Sequence, residues 1–404
     1  MRTIAILCGG GPAPGINTVV ATVTKMFLKD SFRVLAIHEG YKGLLSEKPE
    51  IEELTFEKAD RMLVRGGSEI RMSRYKPKDE EFSTAIFEKQ EIELLVTIGG
   101  DDTASTANRL SKYLLSKHLN VKTLHVPKTI DNDLPLPEGV PTFGFMSARE
   151  MGVNIAKIIK EEAATTQNWY VLVAMGREAG HLAFEIGKSI QASMIIIPEM
   201  FQHGNITVEK IVRLVVSSIV KRRILGMKSG VAVISEGILH LLKEEDVASY
   251  GIRFEYDAHG HPELSAIDKS QFINKLVMKR LKELGIACIT RPIEVGYSLR
   301  CVDPVAADLS YCTTLGMGVK KLSDAGHSGC MVSVDIHQNI IAIPLKTVED
   351  EGDGKIRPRY VNMEGEEVRS VFSDMLFYLT AKERQEAKQY IENPEEYEWE
   401  TILS

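Results

Sequence analysis

The chain has 404 residues, of which 44% are hydrophobic and 26% are charged, and its formal net charge at pH 7 is -7. A chain of this length exceeds what one hydrophobic core usually serves, so it predicts two lobes, and the composition excludes a disordered or fibrous protein. The acidic balance argues against a nucleic-acid partner, which requires clustered lysine and arginine.

The cysteines are odd in number and widely spaced: Cys8, Cys288, Cys301, Cys312 and Cys330. They form no Cys-x-x-Cys pair, so they fit neither a disulfide framework nor a zinc site, and reduced thiols are expected. The amino terminus carries no signal-peptide core, and no apolar run approaches the length of a membrane span. These features predict a cytoplasmic protein with no membrane partner.

Short apolar runs alternate with amphipathic stretches along most of the chain. In the first part, predicted strands at 4–7, 34–37, 94–98 and 123–126 enclose helical patterns at 16–27 and 104–114. This alternation predicts an α/β protein with a mostly parallel sheet covered by helices on both faces. A proline-rich segment at 134–139 is the predicted hinge between the lobes.

A second strand and helix series follows the hinge candidate. Strands are predicted at 170–174, 195–197 and 231–234, with helices near 181–190 and 208–222. After residue 287 the pattern weakens, although the runs 330–335 and 340–343 predict a hairpin. The tail beyond Val348 is acidic and carries no recognisable motif.

The first predicted strand leads into a glycine-rich turn, residues 9–15, that opens a helix. Gly10 and Gly11 allow backbone N–H groups to approach an anion, and the start of the helix adds favourable partial charge. The same turn would also suit any doubly wound sheet without a ligand.

The turn at 98–103 again follows a strand and opens a helix. Asp101, Asp102 and Thr103 come directly after two glycines. Adjacent carboxylates at a helix start can be N-capping residues. Glycines at the carboxyl end of a parallel strand favour instead a ligand crevice in which a carboxylate holds Mg²⁺ and backbone amides face phosphate oxygens.

The fourth predicted strand ends in the segment Lys-Thr-Ile-Asp-Asn-Asp, residues 128–133. Asp131 and Asp133 can differ in environment, one accepting a hydroxyl proton and the other organising metal or water. Lys128 and Thr129 supply a cation and a hydroxyl for transition-state charge, which suits phosphoryl transfer. The alternative is an ordinary Asx-turn loop.

These motifs resemble those of the phosphofructokinase family, most closely its diphosphate-dependent branch. The resemblance covers at least residues 1 to 335. Seven motifs occur in the family's order: GGGPAPG (9–15), GGSEIRMSR (66–74), GGDDT (99–103), PKTIDND (127–133), MGREAGH (175–181), SEG (235–237) and GYSLR (296–300). The resemblance implies two doubly wound lobes. It assigns residues 1–138 with about 298–342 to a diphosphate and Mg²⁺ domain, and 139–297 with about 343–404 to a sugar-phosphate domain.

The resemblance also implies roles for the residues of the donor side. Asp131 would be the base that removes the proton of the sugar 1-hydroxyl, and Asp101 the magnesium carboxylate, with Asp133 in the same site. Thr129 would hold the transferred phosphoryl group together with Arg177. Arg74 would reach the donor phosphates.

On the sugar side, the family pattern implies that Met175, Gly176 and Arg177 line the sugar and that Glu236 accepts hydrogen bonds from its hydroxyls. Arg300 and Tyr297 would hold the 6-phosphate. Arg291 matches an arginine that family members contribute from a neighbouring subunit. This implies a homo-oligomer, a dimer or tetramer, with shared active sites.

The donor is inferred from two positions. ATP-using relatives usually carry glycine in place of Asp102 and often in place of Lys128. Asp102 would repel the α-phosphate of a nucleotide, which diphosphate lacks, and Lys128 would neutralise a compact leaving group. The expected reaction is reversible phosphoryl transfer from diphosphate to fructose 6-phosphate.

The alternatives are an ATP-dependent phosphofructokinase, a kinase of another ketose phosphate such as sedoheptulose 7-phosphate, and a catalytically silent regulatory subunit that binds sugar phosphate. Retention of the aspartates and of Arg177 argues against the last. The chain departs from the family pattern in three places: Asn168 replaces an arginine that clamps phosphate across subunits, Cys301-Val302 replaces a glycine pair, and Met200 interrupts a commonly acidic pair.

Overall fold

The structure is a computed structural model that describes residues 2–201, 205–250, 268–348 and 356–404. Its helices and strands in chain order are β1 (Thr3–Cys8), α1 (Ile16–Lys29), β2 (Arg33–Ile37), α2 (Gly40–Leu44), β3 (Ile51–Glu53), α3 (Phe56–Met62), α4 (Ala85–Gln90), β4 (Ile92–Gly99), α5 (Asp101–Ser116), β5 (Lys122–Thr129), β6 (Phe143–Gly144), α6 (Phe145–Thr166), β7 (Trp169–Ala174), α7 (His181–Ser189), β8 (Met194–Ile196), α8 (Val208–Ile224), β9 (Gly230–Ser235), α9 (Glu244–Ala248), α10 (Lys269–Glu283), β10 (Thr290–Val295), α11 (Ala306–Asp324), β11 (Cys330–Val334), β12 (Ile340–Pro344), α12 (Leu345–Val348), α13 (Glu366–Ser370), α14 (Arg384–Ala387) and α15 (Trp399–Leu403). The predicted strands and helices of both series and the hairpin at β11 and β12 are confirmed.

The chain forms two compact units. The first comprises Met1–Glu150 with Ser298–Arg359, and the second comprises Met151–Tyr297 with Tyr360–Ser404. The observed divisions after residues 150 and 359 differ from the predicted ones after 138 and 342. The first division falls within α6, because that helix has no proline and runs on through Gly152 to Thr166.

The segment 134–139, predicted to be a hinge, lies inside the first unit. Leu134 and Leu136 are buried there and pack in one apolar cluster with Ala104 and Ala107 of α5. Prolines end regular structure, but they do not prevent neighbouring leucines from joining a core. The hinge prediction is therefore wrong.

The first unit is built on an eight-stranded sheet in the order β12-β11-β5-β4-β1-β2-β3, in which β6 also pairs with β5. The interior pairs are parallel, whereas β3 and β12 pair antiparallel at the two edges. Residues of β1 alternate between two cores: Ile4 and Ile6 pack on one face, Ala5 and Leu7 on the other. Both faces are therefore covered, as the near-continuous apolar strands predict.

The second unit contains a four-stranded parallel sheet in the order β10-β7-β9-β8. The strands β7 and β9 are buried along their whole length. Their last residues are in register, with Ala174 opposite both Ser235 and Val295. The loops that follow β7, β9 and β10 consequently leave the sheet at the same edge.

All five cysteines are free thiols, as expected from their spacing. Cys8, at the end of β1, is fully buried, and burial raises the pKa of its thiol to about 12. Within the described parts of the chain, no helix combines the length and the apolar character needed to cross a membrane.

Candidate active site

Three of the predicted segments leave the sheet of the first unit at one edge. Cys8 lies opposite Ile98 in the parallel pairing of β1 with β4, and Gly99 lies opposite Pro127 in the pairing of β4 with β5. The glycine turn 9–15, the start of α5 and the segment 128–133 therefore begin side by side. This is the edge at which ligands bind in doubly wound sheets.

Thr103 explains why glycines occupy both turns. A Cβ atom on Gly9 would lie 2.6 Å from the Thr103 Oγ1, and one on Gly99 would lie 2.3 Å from it. The next residue, Gly10, has a positive φ of 79° and donates its N–H to the carbonyl of Ser73 at 2.9 Å. That bond brings Arg74, which follows Ser73 and is exposed, to the side of the glycine turn.

Asp101 and Asp102 occupy the first turn of α5, and the residue at the N-cap position is Gly100. Neither aspartate is the N-cap residue, so the alternative prediction that these aspartates cap the helix is wrong. Asp101 is exposed, whereas the carboxylate of Asp102 forms an ion pair of 2.7 Å with Lys76. The sequence analysis did not single out Lys76, and its cation offsets part of the charge assigned to Asp102.

Lys128 is a buried cation, 5% exposed, at the end of β5. Its Nζ donates to the carbonyl of Gly11 at 2.6 Å. The pKa of Lys128 is lowered to about 8, mainly by burial and also by Arg300, while the carboxylates of Asp131 and Asp101 act in the opposite direction. At neutral pH this ammonium is charged, close to the point at which it loses its proton.

Arg300 lies against the same glycine turn. An ideal Cβ on Gly11 would fall 1.1 Å from the Arg300 Nη2, so only glycine leaves room for the guanidinium. The Arg300 Nε donates to the carbonyl of Pro12 at 3.3 Å. The structure therefore brings Gly11, Lys128 and Arg300 together in the first unit.

The segment 129–133 is a turn that two hydroxyl groups stabilise, one from Thr129 within it and one from Thr142 outside it. The N–H of Asp131 donates to the Thr129 Oγ1 at 3.0 Å, and the Thr142 hydroxyl donates to the Thr129 carbonyl at 3.0 Å. Asn132 has a left-handed φ of 58°, so the chain reverses between the two aspartates. Asp131 and Asp133 are both half-buried, and the turn gives them different surroundings.

In the second unit, the loops after β7 and β9 meet at the carboxyl edge of the sheet. Gly176 has a φ of 152°, and its N–H donates to the Glu236 Oε1 at 3.4 Å. A Cβ on Gly237 would lie 2.9 Å from the carbonyl of Arg177, so the two loops approach closely. Met175 packs against Gly296, the residue before Tyr297.

Glu236 is held by a lysine that the sequence analysis did not single out. Lys269 is 4% exposed, and its Nζ lies 3.2 Å from the Glu236 Oε2 and 3.2 Å from the Glu294 Oε1. Burial acts to lower the pKa of Lys269, but the two carboxylates outweigh it, and the pKa is raised. This buried cation fixes the direction of the Glu236 carboxylate.

The remaining predicted residues of the second unit are exposed. Arg177 and Tyr297, which is 61% exposed, lie at the carboxyl edge of the sheet. Arg291 is the second residue of β10 and lies opposite Tyr170, near the start of the strand, whereas Tyr297 follows the strand's carboxyl end at Val295. Arg291 therefore lies toward the opposite end of β10 from the other predicted site residues of its unit.

Some side chains at these edges gave no signal in the sequence. Lys76 and Lys269 are single lysines in polar surroundings, and Arg359 lies in the tail without a motif. Each of these side chains contacts a site residue that is distant in the sequence. The one sequence signal for Arg359 is the Arg-Pro-Arg tripeptide at 357–359 in an acidic tail. Among the described residues, no group of three or more His, Cys, Asp or Glu side chains could hold a metal ion by itself.

The fold and these edges define a class: doubly wound α/β units with glycine turns, carboxylates and cations at the carboxyl ends of parallel strands. Residues 3–322 match the family model of phosphofructokinase, and the chain belongs to that family.

Among its relatives is the pyrophosphate–fructose 6-phosphate 1-phosphotransferase of Thermotoga maritima, 38% identical over 375 residues that cover 91% of this chain and 88% of that protein. The enzyme of the same name from Naegleria fowleri is 37% identical over 379 residues, covering 90% and 85%. The crystal structure of a pyrophosphate-dependent phosphofructokinase from Marinobacter aquaeolei superposes with a TM-score of 0.70 at 19% identity, covering 97% and 92%. This last likeness confirms the fold.

Proposed function

We propose that the chain catalyses reversible phosphoryl transfer from diphosphate to the 1-hydroxyl of fructose 6-phosphate, giving fructose 1,6-bisphosphate and phosphate. The observation that carries the proposal is the buried ammonium of Lys128, bonded to the glycine turn and acted on by the carboxylates of Asp131 and Asp101. A buried ammonium group can bind a compact, highly charged phosphate donor strongly. The activity named for the Thermotoga maritima and Naegleria fowleri relatives supports the same reaction.

In the proposed mechanism, Asp131 accepts the proton of the sugar 1-hydroxyl. At the same time, the hydroxyl oxygen attacks the terminal phosphorus of diphosphate. The bond from that phosphorus to the bridging oxygen breaks, and phosphate leaves. Lys128 stabilises the charge of the leaving group, and Thr129 and Arg177 hold the transferred phosphoryl group. Positioning and charge stabilisation supply most of the catalysis in such reactions.

Magnesium fits the donor side as an ion shared with the substrate. Proteins usually bind Mg²⁺ through one or two carboxylates together with substrate phosphates and water, so a protein cage of three or more ligands is not required. Asp101, exposed in the first turn of α5, would hold the ion, with Asp133 in the same site. When bound, Mg²⁺ would neutralise charge on the phosphate oxygens.

The first unit is the proposed donor domain. Its glycine turn, through Gly10 and Gly11, would face the diphosphate with Arg74, Asp102 and Thr103. The contact of Arg300 with Gly11 and Pro12 supports a role for this arginine near an anion. The assignment of Arg300 to the 6-phosphate of the sugar, with Tyr297, stays a prediction.

The second unit is the proposed sugar domain. Met175, Gly176 and Arg177 would line fructose 6-phosphate, and Glu236 would accept hydrogen bonds from its hydroxyl groups, as the bond from the Gly176 N–H to Glu236 supports. The position of Arg291 at the other end of β10 is consistent with a contribution to a neighbouring subunit. We therefore infer a cytoplasmic homo-oligomer, a dimer or tetramer, with shared active sites.

The decisive experiment measures turnover with diphosphate and with ATP in parallel, each with fructose 6-phosphate and with sedoheptulose 7-phosphate. Turnover with diphosphate and fructose 6-phosphate is expected. Exclusive use of ATP would overturn the donor assignment, preference for the heptulose phosphate would overturn the acceptor, and absence of turnover with every pair would favour the regulatory subunit.

A variant sharpens the donor test. Asp102→Gly removes the carboxylate proposed to repel a nucleotide, so ATP turnover is expected to rise roughly tenfold, the effect of about 1.4 kcal/mol. Because Lys76 pairs with Asp102, Lys76→Met is the matched comparison: it leaves the carboxylate in place without its cation and should lower ATP use further. Equal ATP rates in all three proteins would remove Asp102 from the donor argument.

A further inference from the structure

Arg359 contacts the turn that carries Asp131 and Asp133, although 227 residues separate it from Asn132. Its Nε donates to the Asn132 carbonyl at 3.2 Å, and its Nη2 donates to the Asn132 Oδ1. Its Nη1 donates to the carbonyl of Val140 at 2.8 Å. In addition, the backbone N–H of Arg359 donates to the carbonyl of Asp133 at 2.6 Å. One residue thus binds both sides of the turn.

The contacted residue is the one whose backbone determines the shape of the turn. Asn132 has a left-handed φ of 58°, a conformation that residues other than glycine adopt rarely and that asparagine tolerates best. Its side-chain oxygen also accepts the N–H of Thr142 at 3.0 Å. The rotation at Asn132 sets the directions in which Asp131 and Asp133 leave the chain, so its fixation orients both carboxylates.

The guanidinium of Arg359 is well suited to this contact. Its planar fork offers several donors in a rigid geometry, so it can bind the carbonyl and the side chain of one residue at the same time. A lysine would keep the charge but could not reproduce three donors in fixed directions. Burial lowers the pKa of Arg359 from its usual range, while the charge of Asp133 acts to raise it.

We propose that Arg359 is a positioning residue for phosphoryl transfer, which holds the 129–133 turn so that Asp131 meets the acceptor hydroxyl. The proposal rests on the proposed function, in which Asp131 is the base. Arg359 itself touches neither substrate in this scheme. Misplacement of a reacting group by about 1 Å can lower the rate by roughly 10²-fold. Loss of the Arg359 contact is therefore expected to lower kcat.

The test uses the full-length protein with Arg359→Ala, Arg359→Lys and the control Arg357→Ala, which removes an exposed arginine of the same segment. With Arg359→Ala, kcat is expected to fall between about tenfold and 10²-fold, while KM for both substrates changes less than about threefold. Millimolar guanidinium should restore part of the lost rate in a saturable manner. Arg359→Lys should remain impaired, and Arg357→Ala should match the parent.

Hydrogen exchange supplies a readout that does not depend on the reaction. Peptides that cover 129–142 should exchange faster in Arg359→Ala than in the parent and in Arg357→Ala, with little change in β1 or β7. A kcat equal to that of the parent, a loss confined to KM, or a lowered rate without a local change in exchange would overturn the proposal. If Arg359→Ala does not fold, the same criteria apply to Arg359→Lys.

Failure of this proposal can be told apart from failure of the proposed function by Asp131→Asn. If Asp131→Asn is inactive and Arg359→Ala behaves as the parent, only the positioning role is lost. If Asp131→Asn keeps the parent rate while exchange near 129–142 still responds to Arg359→Ala, the contact is real and the assignment of the base is wrong.

Discussion

The two units carry similar glycine turns at the carboxyl ends of parallel strands, yet they hold their charged groups in opposite ways. In the first unit, two cations contact the backbone of the glycine turn, Lys128 at Gly11 and Arg300 at Pro12, while Lys76 pairs with Asp102. In the second unit, the buried cation Lys269 is anchored by the carboxylates of Glu236 and Glu294. The contacts of Lys128 and Arg300 are thus made to uncharged carbonyl oxygens, whereas Lys269 is paired with two carboxylates.

This difference fits two kinds of ligand. Cations that backbone oxygens hold in place can stabilise a compact anion, because little reorganisation is needed when the anion arrives. A site where a lysine fixes a carboxylate is suited to hydroxyl groups, which donate hydrogen bonds to that carboxylate. In the proposed function, the same topology would serve a phosphate edge in the first unit and a sugar edge in the second.

The largest expected effect concerns Asp131, the proposed base in the first unit. Asp131→Asn keeps the size of the side chain but removes its ability to accept a proton, so kcat is expected to fall by about 10² to 10⁴-fold. Steady-state kinetics with diphosphate and fructose 6-phosphate measures this. KM should change far less, since the turn is braced by Thr129, Thr142 and Asn132 rather than by the Asp131 carboxylate. An unchanged kcat would remove Asp131 from the mechanism.

In the second unit, Lys269→Met is expected to act on both stability and sugar binding. Removal of one partner of a buried ion pair leaves the other uncompensated, which costs about 3 kcal/mol. Urea unfolding followed by tryptophan fluorescence measures this, because Trp169 and Trp399, the two tryptophans of the chain, both lie in the second unit. KM for fructose 6-phosphate should rise as the orientation of Glu236 is lost.

The matched control is Lys279→Met in the same helix. Lys279 is 70% exposed and lies 4.0 Å from Glu283, so its removal should cost less than about 0.5 kcal/mol. If the two variants unfold at the same urea concentration, Lys269 does not carry the charge balance of this edge, and the contrast between the units is lost.

The smallest expected effect is a pH dependence of kcat/KM for diphosphate, caused by Lys128 of the first unit. The pKa of Lys128 is lowered to about 8, so its ammonium is present below this pH and is lost as pH rises through it. The kcat/KM for diphosphate should therefore decline above pH 8 and approach a tenfold loss per pH unit. Lys128→Arg retains its charge and should flatten this decline. An identical decline in that variant would assign it to another group.

The sequence by itself determined the alternation of strands and helices, the positions of the glycine turns and the order of the family motifs. These properties depend on local periodicity and on turn chemistry, which neighbouring residues carry. Gly10, Asp101 and Asp131 could be located in this way because each follows the carboxyl end of a recognisable strand. The proline-rich segment 134–139 shows the limit: its composition suggested a hinge, and burial of Leu134 and Leu136 decided otherwise.

Only the tertiary structure decided which side chains hold the site in place. Lys76 reaches Asp102, Lys269 reaches Glu236, and Arg359 reaches Asn132 across 227 residues. Apart from the Arg-Pro-Arg tripeptide at 357–359, nothing in the neighbourhood of these residues distinguishes them, since a single lysine or arginine in a polar stretch is usually solvated. The packing of sheet edges and chain segments determines which partners these side chains meet. This packing depends on the whole fold and not on the sequence next to each residue.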